Sequence, residues 1–248
     1  MTALVTGGGR GIGRAVALAF AREGARVAVS ARTRSEIEAV AAECGQGAIA
    51  LPLDVTDEVA CGAIVGRVKE QLGRLDVLVN NAGVASSHKF TELDTETWRR
   101  ILSVDLDGPF FLTRSALPLM LEQGSGAVIA IASIAAKVGM PYVAAYTAAK
   151  HGLLGMMRSL AADNVRRGVT FNCVCPGYVD TPMTQESIAA IMARTGRSRE
   201  DALKPLLTPQ GRLVTPEEVA AVCVLLASPA GRGITGQAIN VDGGFVQS

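Results

Sequence analysis

The stretch VTGGGRGIG, residues 5–13, follows an apolar strand pattern and precedes a helical one. Its glycines permit a tight turn and a close approach of the backbone to a ligand. A helix that begins in such a loop presents free N–H groups and a partial positive charge, which suit a pyrophosphate. Turn chemistry alone is a poor explanation for so dense a run of glycines, so the stretch predicts a dinucleotide-binding loop. The residues assigned to the loop are Gly7, Gly9, Arg10, Gly11, Ile12 and Gly13.

Strand-like and helix-like patterns alternate along the rest of the chain, with short connections between them. Short apolar runs separated by helices are typical of a parallel sheet that is covered on both faces. No stretch resembles a linker or a repeat. The sequence therefore predicts an α/β fold: a single doubly wound Rossmann-type domain over residues 1–248, with a parallel seven-stranded sheet. One long helix is expected over roughly residues 98–121.

The overall composition excludes several classes of function. The 24 basic and 23 acidic residues leave a net charge of +1, which gives no electrostatic reason to expect nucleic acid or membrane binding. The first residues lack a signal-peptide pattern, and the most apolar stretch, 127–136, is about half as long as a membrane span. The 5 cysteines show neither metal-ligand nor disulfide spacing. We expect a soluble, reduced, cytoplasmic protein with no metal.

The glycine loop and four later motifs together resemble the short-chain dehydrogenase/reductase family. The later motifs are NNAG at 80–83, Ser133, Tyr146-x-x-x-Lys150 and Pro176-Gly177. Each is weak alone, but their order and spacing are specific, and the resemblance covers almost the whole chain. It implies that Ser133, Tyr146 and Lys150 are catalytic, and it implies further cofactor-binding residues. These are Asp54, Val55, Asn80, Asn81, Ala82, Gly83, Tyr146, Lys150, Pro176, Gly177, Val179 and Thr181.

The spacing of Tyr146 and Lys150 places both side chains on one face of a helix. Such a pair alone also fits a buried ring beside a solvated amine. A tyrosine is a poor acid–base catalyst near neutrality because its pKa is about 10, and a neighbouring ammonium lowers that pKa. We therefore expect Lys150 to move the pKa of Tyr146 toward working pH. Ser133 would hold the substrate oxygen and stabilise its developing charge.

Asp105 stands where the family carries an asparagine that supports a water linked to the lysine. The family residue acts partly through its backbone carbonyl, which an aspartate keeps. We therefore assign Asp105 to the catalytic group. An ionised Asp105 is expected to stabilise protonated Lys150 and to retune the proton relay.

The choice of nicotinamide cofactor depends on the stretch VSARTR, residues 29–34. An acid at the end of the second strand would bond the ribose of NAD, but this stretch has none. Glu36 is the first carboxylate downstream and is expected in the next helix. Arg32, together with Arg10 of the glycine loop, can bind a 2′-phosphate. The alternative is that both arginines are solvated surface charges. Their placement favours NADP(H).

The segment 183–212 is expected to form a substrate lid of two short helices hinged at Gly196. A long lid resembles the branch of the family that acts on 3-oxoacyl or 3-hydroxyacyl thioesters. No basic residue lies just before the fifth strand, although Arg166 and Arg167 stand in a second plausible place for contact with a carrier protein. This favours a coenzyme A ester or a polyketide-like ketone over an acyl-carrier-protein substrate. Small or cyclic ketones, or a non-catalytic dinucleotide sensor, remain alternatives. The family resemblance also implies a homotetramer. We interpret His151 as structural, and His88 as a surface residue in a loop, with a place at the border of the substrate site as the alternative.

Overall fold

The computed structural model describes residues 1–45 and 47–247. Within these ranges, seven strands form one sheet in the order β3-β2-β1-β4-β5-β6-β7, and every neighbouring pair is parallel. The strands are β1 (Thr2–Thr6), β2 (Arg26–Ala31), β3 (Ile49–Pro52), β4 (Val77–Asn80), β5 (Gly126–Ile131), β6 (Val169–Pro176) and β7 (Ala238–Val241).

Helices cover both faces of this sheet, because successive residues of each strand point to opposite sides. In β1, Leu4 belongs to one core layer, whereas Ala3 and Val5 belong to the other. The helices are α1 (Gly11–Arg22), α2 (Arg34–Cys44), α3 (Glu58–Leu72), α4 (Thr95–Leu102), α5 (Gly108–Gln123), α6 (Ala144–Asn164), α7 (Pro182–Thr195), α8 (Arg199–Leu203) and α9 (Pro216–Ala227). Helices α3, α5 and α6 pack on one face, and α1, α2 and α9 pack on the other.

The predicted single helix over residues 98–121 is wrong. The segment consists of α4, a π-helical turn at Ser103–Asp107, and α5. In the turn, the Gly108 N–H donates to the Ser103 carbonyl, five residues back. Pro109 supplies the physical reason, since it has no N–H to donate to the Asp105 carbonyl in an α-helical ladder. The turn thus falls at one of the candidate catalytic residues.

Helix α9 was not among the predicted elements, although its first residues carry a clear signal. Thr215 accepts from the Glu218 N–H, and the Glu218 carboxylate accepts from the Thr215 N–H at 2.8 Å. This reciprocal pair is a capping box, with Pro216 in the first turn.

The strand order reverses at β1, which lies between β2 and β4. Connections from the two halves of the sheet diverge at this point and leave a crevice beyond the carboxyl ends of the strands. The glycine loop, NNAG, Ser133 and Pro176-Gly177 all follow such carboxyl ends. The fold therefore gathers motifs that are distant in sequence at one edge of the sheet.

Candidate active site

The glycine loop joins β1 to α1 and has no space for side chains at its closest approaches. Gly7 and Gly11 have φ angles of 62° and 54°, in the left-handed region that favours glycine. A Cβ atom on Gly7 would lie 2.8 Å from Asn81 Nδ2, and one on Gly13 would collide with both the Gly7 carbonyl and Asn81 Nδ2. The loop fits the expected dinucleotide, because it exposes backbone at the start of a helix.

Asn81 and Thr6 hold the end of β4 against the glycine loop. Asn81 Nδ2 donates to the Thr6 carbonyl at 2.8 Å, and the backbone N–H groups of Asn81 and Ala82 donate to Thr6 Oγ1 at 3.0 and 3.1 Å. The neighbouring Asn80 points the other way and donates to Thr113 Oγ1 at 3.0 Å. The prediction that Asn80 lines the cleft is therefore wrong, because strand alternation buries its side chain.

The chain after Pro176-Gly177 forms the opposite side of the cleft. A Cβ atom on Gly11 would lie 3.3 Å from Thr181 Cγ2, so the two segments are in close contact. Thr181 is the N-cap of α7, and its hydroxyl accepts from the Thr184 N–H. Val179 forms an isolated parallel bridge with Val214. These contacts place Thr181 beside the glycine loop and join Val179 to Val214.

Ser133, Tyr146 and Lys150 meet at the carboxyl end of β5. Ser133 follows the strand, accepts from the Ala135 N–H at 3.1 Å, and has a lowering effect on the pKa of Tyr146. Lys150 Nζ donates to the Ile131 carbonyl at 3.0 Å and lies 5.4 Å from the centre of the Tyr146 ring. The three predicted catalytic side chains are therefore brought together, and α6 provides two of them one turn apart.

Asp105 completes this cluster from the π-helical turn. Its side chain is 0% exposed, and its Oδ1 lies 3.0 Å from Lys150 Nζ, which is itself only 4% exposed. The other oxygen, Oδ2, accepts from the Val84 N–H at 3.1 Å. A Cβ atom on Gly83 would lie 2.8 Å from Oδ1, so glycine is needed for this approach. Asp105 and Lys150 form a buried ion pair.

Burial and this ion pair control the acidity of the cluster. Burial raises the pKa of Tyr146 above its ordinary value, and the Asp105 charge adds to this rise. The Lys150 ammonium and the hydroxyl of Ser133 act in the opposite direction and lower the pKa of Tyr146. The expected lowering of the Tyr146 pKa is therefore wrong for this structure, although Lys150 acts in the predicted direction. Burial lowers the pKa of Lys150, but Asp105 and Tyr146 outweigh it and leave that pKa raised.

Two exposed arginines lie at the end of the cleft where the adenosine half of the cofactor is expected. Arg10 is the N-cap of α1, and its Nη1 lies 3.9 Å from Glu186 Oε1 on α7. Arg32 follows β2 and helps to lower the pKa of Asp54, whose carboxylate mainly accepts hydrogen bonds from Thr56. Val55 next to Asp54 is buried against Gly108, so only its backbone is placed to meet a ligand.

The sequence analysis named Glu36 but did not predict its contact with the glycine loop. Glu36 lies in the first turn of α2, as expected. A Cβ atom on Gly9 would stand 2.8 Å from Glu36 Cβ and 3.0 Å from Glu36 Oε2. The carboxylate therefore packs directly on the glycine loop. Its place in a helix concealed it, since the usual acid stands at the end of the second strand.

The segment after Thr181 contains the two helices expected around Gly196. Helix α7 ends at Thr195 and is capped by Gly196, whose φ is 68°, and α8 follows. Ile188, Ala202 and Leu206 form a small buried cluster, so these apolar side chains pack the two helices together. Arg194 on α7 lies over the ring of Tyr142, 5.4 Å from its centre.

The remaining reactive side chains give no competing site. All five cysteines are free and buried, and burial raises the pKa of Cys173 to about 12. The described residues contain no cluster of potential metal ligands, and none of the helices within them is long and apolar enough to cross a membrane. His151 is exposed on α6, where its ring Nδ1 lies 3.0 Å from the Thr147 carbonyl.

A glycine loop at the strand switch point and a tyrosine–lysine pair beneath it define a dinucleotide-dependent oxidoreductase. The family model described as enoyl-(acyl carrier protein) reductase matches residues 7–246. The chain belongs to the short-chain dehydrogenase/reductase family. The family, the fold class and the oxidoreductase class predicted from the sequence are confirmed.

Known relatives differ in the substrates that their names specify. The chain is 39% identical to a 3-oxoacyl-[acyl-carrier-protein] reductase of a Synechocystis strain, over 98% of this chain and 96% of the relative. It is 37% identical to a 3beta-hydroxysteroid dehydrogenase of Mediterraneibacter gnavus, over 98% and 93%. A crystal structure of a variant actinorhodin polyketide ketoreductase with NADPH is similar with a TM-score of 0.94 and 37% identity, covering 98% of this chain and 96% of the other.

Proposed function

We propose that the protein is an NADP(H)-dependent oxidoreductase that interconverts a ketone and a secondary alcohol. The observation that carries the proposal is the Ser133–Tyr146–Lys150 cluster beside the glycine loop, in which Lys150 Nζ donates to the Ile131 carbonyl at 3.0 Å and lies 5.4 Å from the centre of the Tyr146 ring. A non-catalytic dinucleotide sensor would not need this arrangement. The preferred substrate is a 3-oxoacyl or 3-hydroxyacyl thioester, of the coenzyme A type, or a polyketide-like ketone.

When bound, the nicotinamide supplies or accepts a hydride at its C4 atom. The glycine loop residues, from Gly7 to Gly13, would hold the pyrophosphate through backbone N–H groups. Arg10 and Arg32 would bind the 2′-phosphate as guanidinium groups. The Asp54–Val55 and Asn81–Gly83 segments, with Pro176, Gly177, Val179 and Thr181, would line the rest of the cofactor cleft. The name of the polyketide ketoreductase structure, which includes NADPH, supports this cofactor.

Tyr146 is the proton donor to the carbonyl oxygen in the direction of reduction, and the proton acceptor in the direction of oxidation. Ser133 holds the same oxygen through its hydroxyl and stabilises negative charge on it. The raised pKa of Tyr146 keeps its hydroxyl protonated at neutral pH, which suits reduction. Lys150, held by Asp105 and the Ile131 carbonyl, provides the positive charge that favours the phenolate after the proton has left.

The assembly, compartment and domain extent are part of the same proposal. We infer a homotetramer in the cytoplasm, built from one domain over residues 1–248 with a substrate lid at 183–212. The resemblance to the family, whose members usually form tetramers, supports this assembly. Light scattering of the purified protein would give the subunit number directly, and a monomer would refute the tetramer.

The first experiment is an initial-rate assay of NADPH oxidation, with NADH in parallel. Acetoacetyl-CoA, a 3-oxoacyl-carrier-protein thioester and a cyclic ketone serve as competing substrates. Turnover of acetoacetyl-CoA with NADPH, abolished in Tyr146→Phe, is the expected result. Turnover of the cyclic ketone alone would replace the thioester by the second candidate. Tight NADPH binding without turnover of any carbonyl compound would favour the sensor.

A further inference from the structure

Glu36 is a carboxylate at the adenosine end of the cleft that the proposed reaction does not use. Its Oε2 would lie 3.0 Å from a Cβ atom on Gly9, so the carboxylate contacts the glycine loop. The residue is half-buried, whereas Glu38 one turn further along α2 is exposed and pairs with Arg34 at 3.3 Å. Among the described residues, Glu36 has no ion-pair partner.

The surrounding backbone places this carboxylate at the end of β2. The Gly8 N–H donates to the Ser30 carbonyl at 3.0 Å, which fixes the glycine loop over the last residues of that strand. In folds with such a loop, the ribose of the adenosine half lies here, and an acid about 20 residues past the glycines bonds its 2′-hydroxyl. Glu36 approaches the same place from the first turn of a helix.

Both positive and negative side chains surround the end of β2, where the adenosine ribose is expected. Arg10 and Arg32 suit a 2′-phosphate, yet Arg10 is already near the Glu186 carboxylate at 3.9 Å. A carboxylate repels a 2′-phosphate and accepts a hydrogen bond from a 2′-hydroxyl, whereas a guanidinium binds the phosphate through a planar fork. The local chemistry therefore does not select one nicotinamide cofactor alone.

We propose that Glu36 determines cofactor specificity, because its carboxylate accepts a hydrogen bond from the ribose 2′-hydroxyl of NAD(H). The chain then binds NADH as well as NADPH, and Glu36 weakens the preference for NADPH that Arg10 and Arg32 provide. This inference rests on the proposed function, since it concerns the nucleotide of the same site. It adds a second accepted cofactor and names the residue responsible.

The test is a titration calorimetry measurement of NADPH and NADH dissociation constants for the wild-type protein and Glu36→Gln. Glutamine keeps the side-chain shape against Gly9 and removes the charge. We expect NADPH to bind about tenfold more tightly and NADH several-fold more weakly in the variant. Glu38→Gln is the matched control, because it removes a carboxylate from the same helix and is expected to leave the ratio of the two constants unchanged.

The ratio of the NADPH and NADH dissociation constants shows whether Glu36 determines cofactor specificity or only packs against the glycine loop. A role only in packing the glycine loop would change both dissociation constants in the same direction, and that result overturns the proposal. Wild-type protein that binds NADPH but not NADH also overturns it, while leaving the proposed function in place. Protein that binds both nucleotides with the predicted shift, yet reduces no ketone, supports the role of Glu36 and refutes the proposed reaction instead.

Discussion

Replacing Asp105 by asparagine tests how charge controls the proton-transfer residue. Asparagine has nearly the same shape and keeps an oxygen that can accept from the Val84 N–H, as Asp105 does at 3.1 Å. It removes the negative charge that faces Lys150 at 3.0 Å. The variant therefore changes electrostatics with little change in packing, and we expect it to remain active.

The size of the effect follows from the geometry. Asp105 Oδ1 lies 3.0 Å from Lys150 Nζ, which lies 5.4 Å from the centre of the Tyr146 ring. The carboxylate oxygen is thus at most about 8 Å from the ring centre, where Coulomb's law with an effective dielectric constant of about 20 gives at least about 2 kcal/mol. That energy corresponds to about 1.5 pH units. Because a negative charge raises the pKa of Tyr146, its removal lowers that pKa while Lys150 stays protonated.

The assay is the pH dependence of kcat/KM for oxidation of 3-hydroxybutyryl-CoA with NADP. Oxidation requires Tyr146 as a proton acceptor, so the acid limb of the profile reports its pKa. We expect this limb to move to lower pH by about 1 to 2 units in Asp105→Asn. Asp107→Asn is the control, because Asp107 is an exposed carboxylate in the same π-helical turn and should leave the limb in place.

Two results would contradict this reasoning. An acid limb that stays in place or moves to higher pH would mean that Asp105 does not act on Tyr146 through its charge. An inactive but folded Asp105→Asn protein, with unchanged NADPH binding, would mean that the carboxylate itself takes part in proton transfer.

Three further predictions concern other parts of the site. Tyr146→Phe is expected to lower kcat by about 10²-fold to 10⁴-fold, since it removes the proposed proton donor. Calorimetry is expected to show a dissociation constant for NADPH within a factor of a few of the wild-type value. Retained turnover would refute the assignment of Tyr146 as the proton donor. Gly13→Ala is expected to lose NADPH binding and about 1–3 kcal/mol of stability in denaturant unfolding, because the added Cβ has no space. The control Gly66→Ala adds a Cβ that meets nothing within 4 Å, and it is expected to gain about 0.5–1 kcal/mol of stability. Equal effects of the two variants on stability would contradict the close packing of the glycine loop. Arg194→Ala removes the contact with Tyr142 and is expected to raise KM for acetoacetyl-CoA several-fold with kcat unchanged; an unchanged KM would place the lid arginine outside substrate binding.

Local sequence patterns predicted the features that depend on local chemistry. The glycine loop could be located because left-handed φ angles and close contacts require glycine at fixed positions. The Tyr146 and Lys150 pair could be placed because helical spacing fixes which residues are neighbours. The parallel sheet followed from short apolar runs between helices. In each case residue type and spacing along the chain contained the information needed, without knowledge of contacts between distant segments.

Helix α9 had a local signal in its capping box, but the unpredicted features of the site depend on contacts between distant segments. Glu36 reaches Gly9 only because α2 begins directly beside the loop. The direction of the Tyr146 pKa shift depends on how deeply the folded chain buries the ring. Asn80 and Asn81 differ in role because one faces Thr113 and the other faces Thr6, which spacing alone does not reveal.

The π-helical turn at Ser103–Asp107 restricts the number of residues in this segment more strongly than it restricts their identity. Each residue of an α-helix rotates the chain by about 100°, so removing one residue here would turn either α4 or α5 by that angle relative to the other. Ile101 and Leu112, both buried, could not then remain in their present layers together. We therefore expect homologous chains to vary in amino acids within the turn, but to tolerate neither insertions nor deletions there.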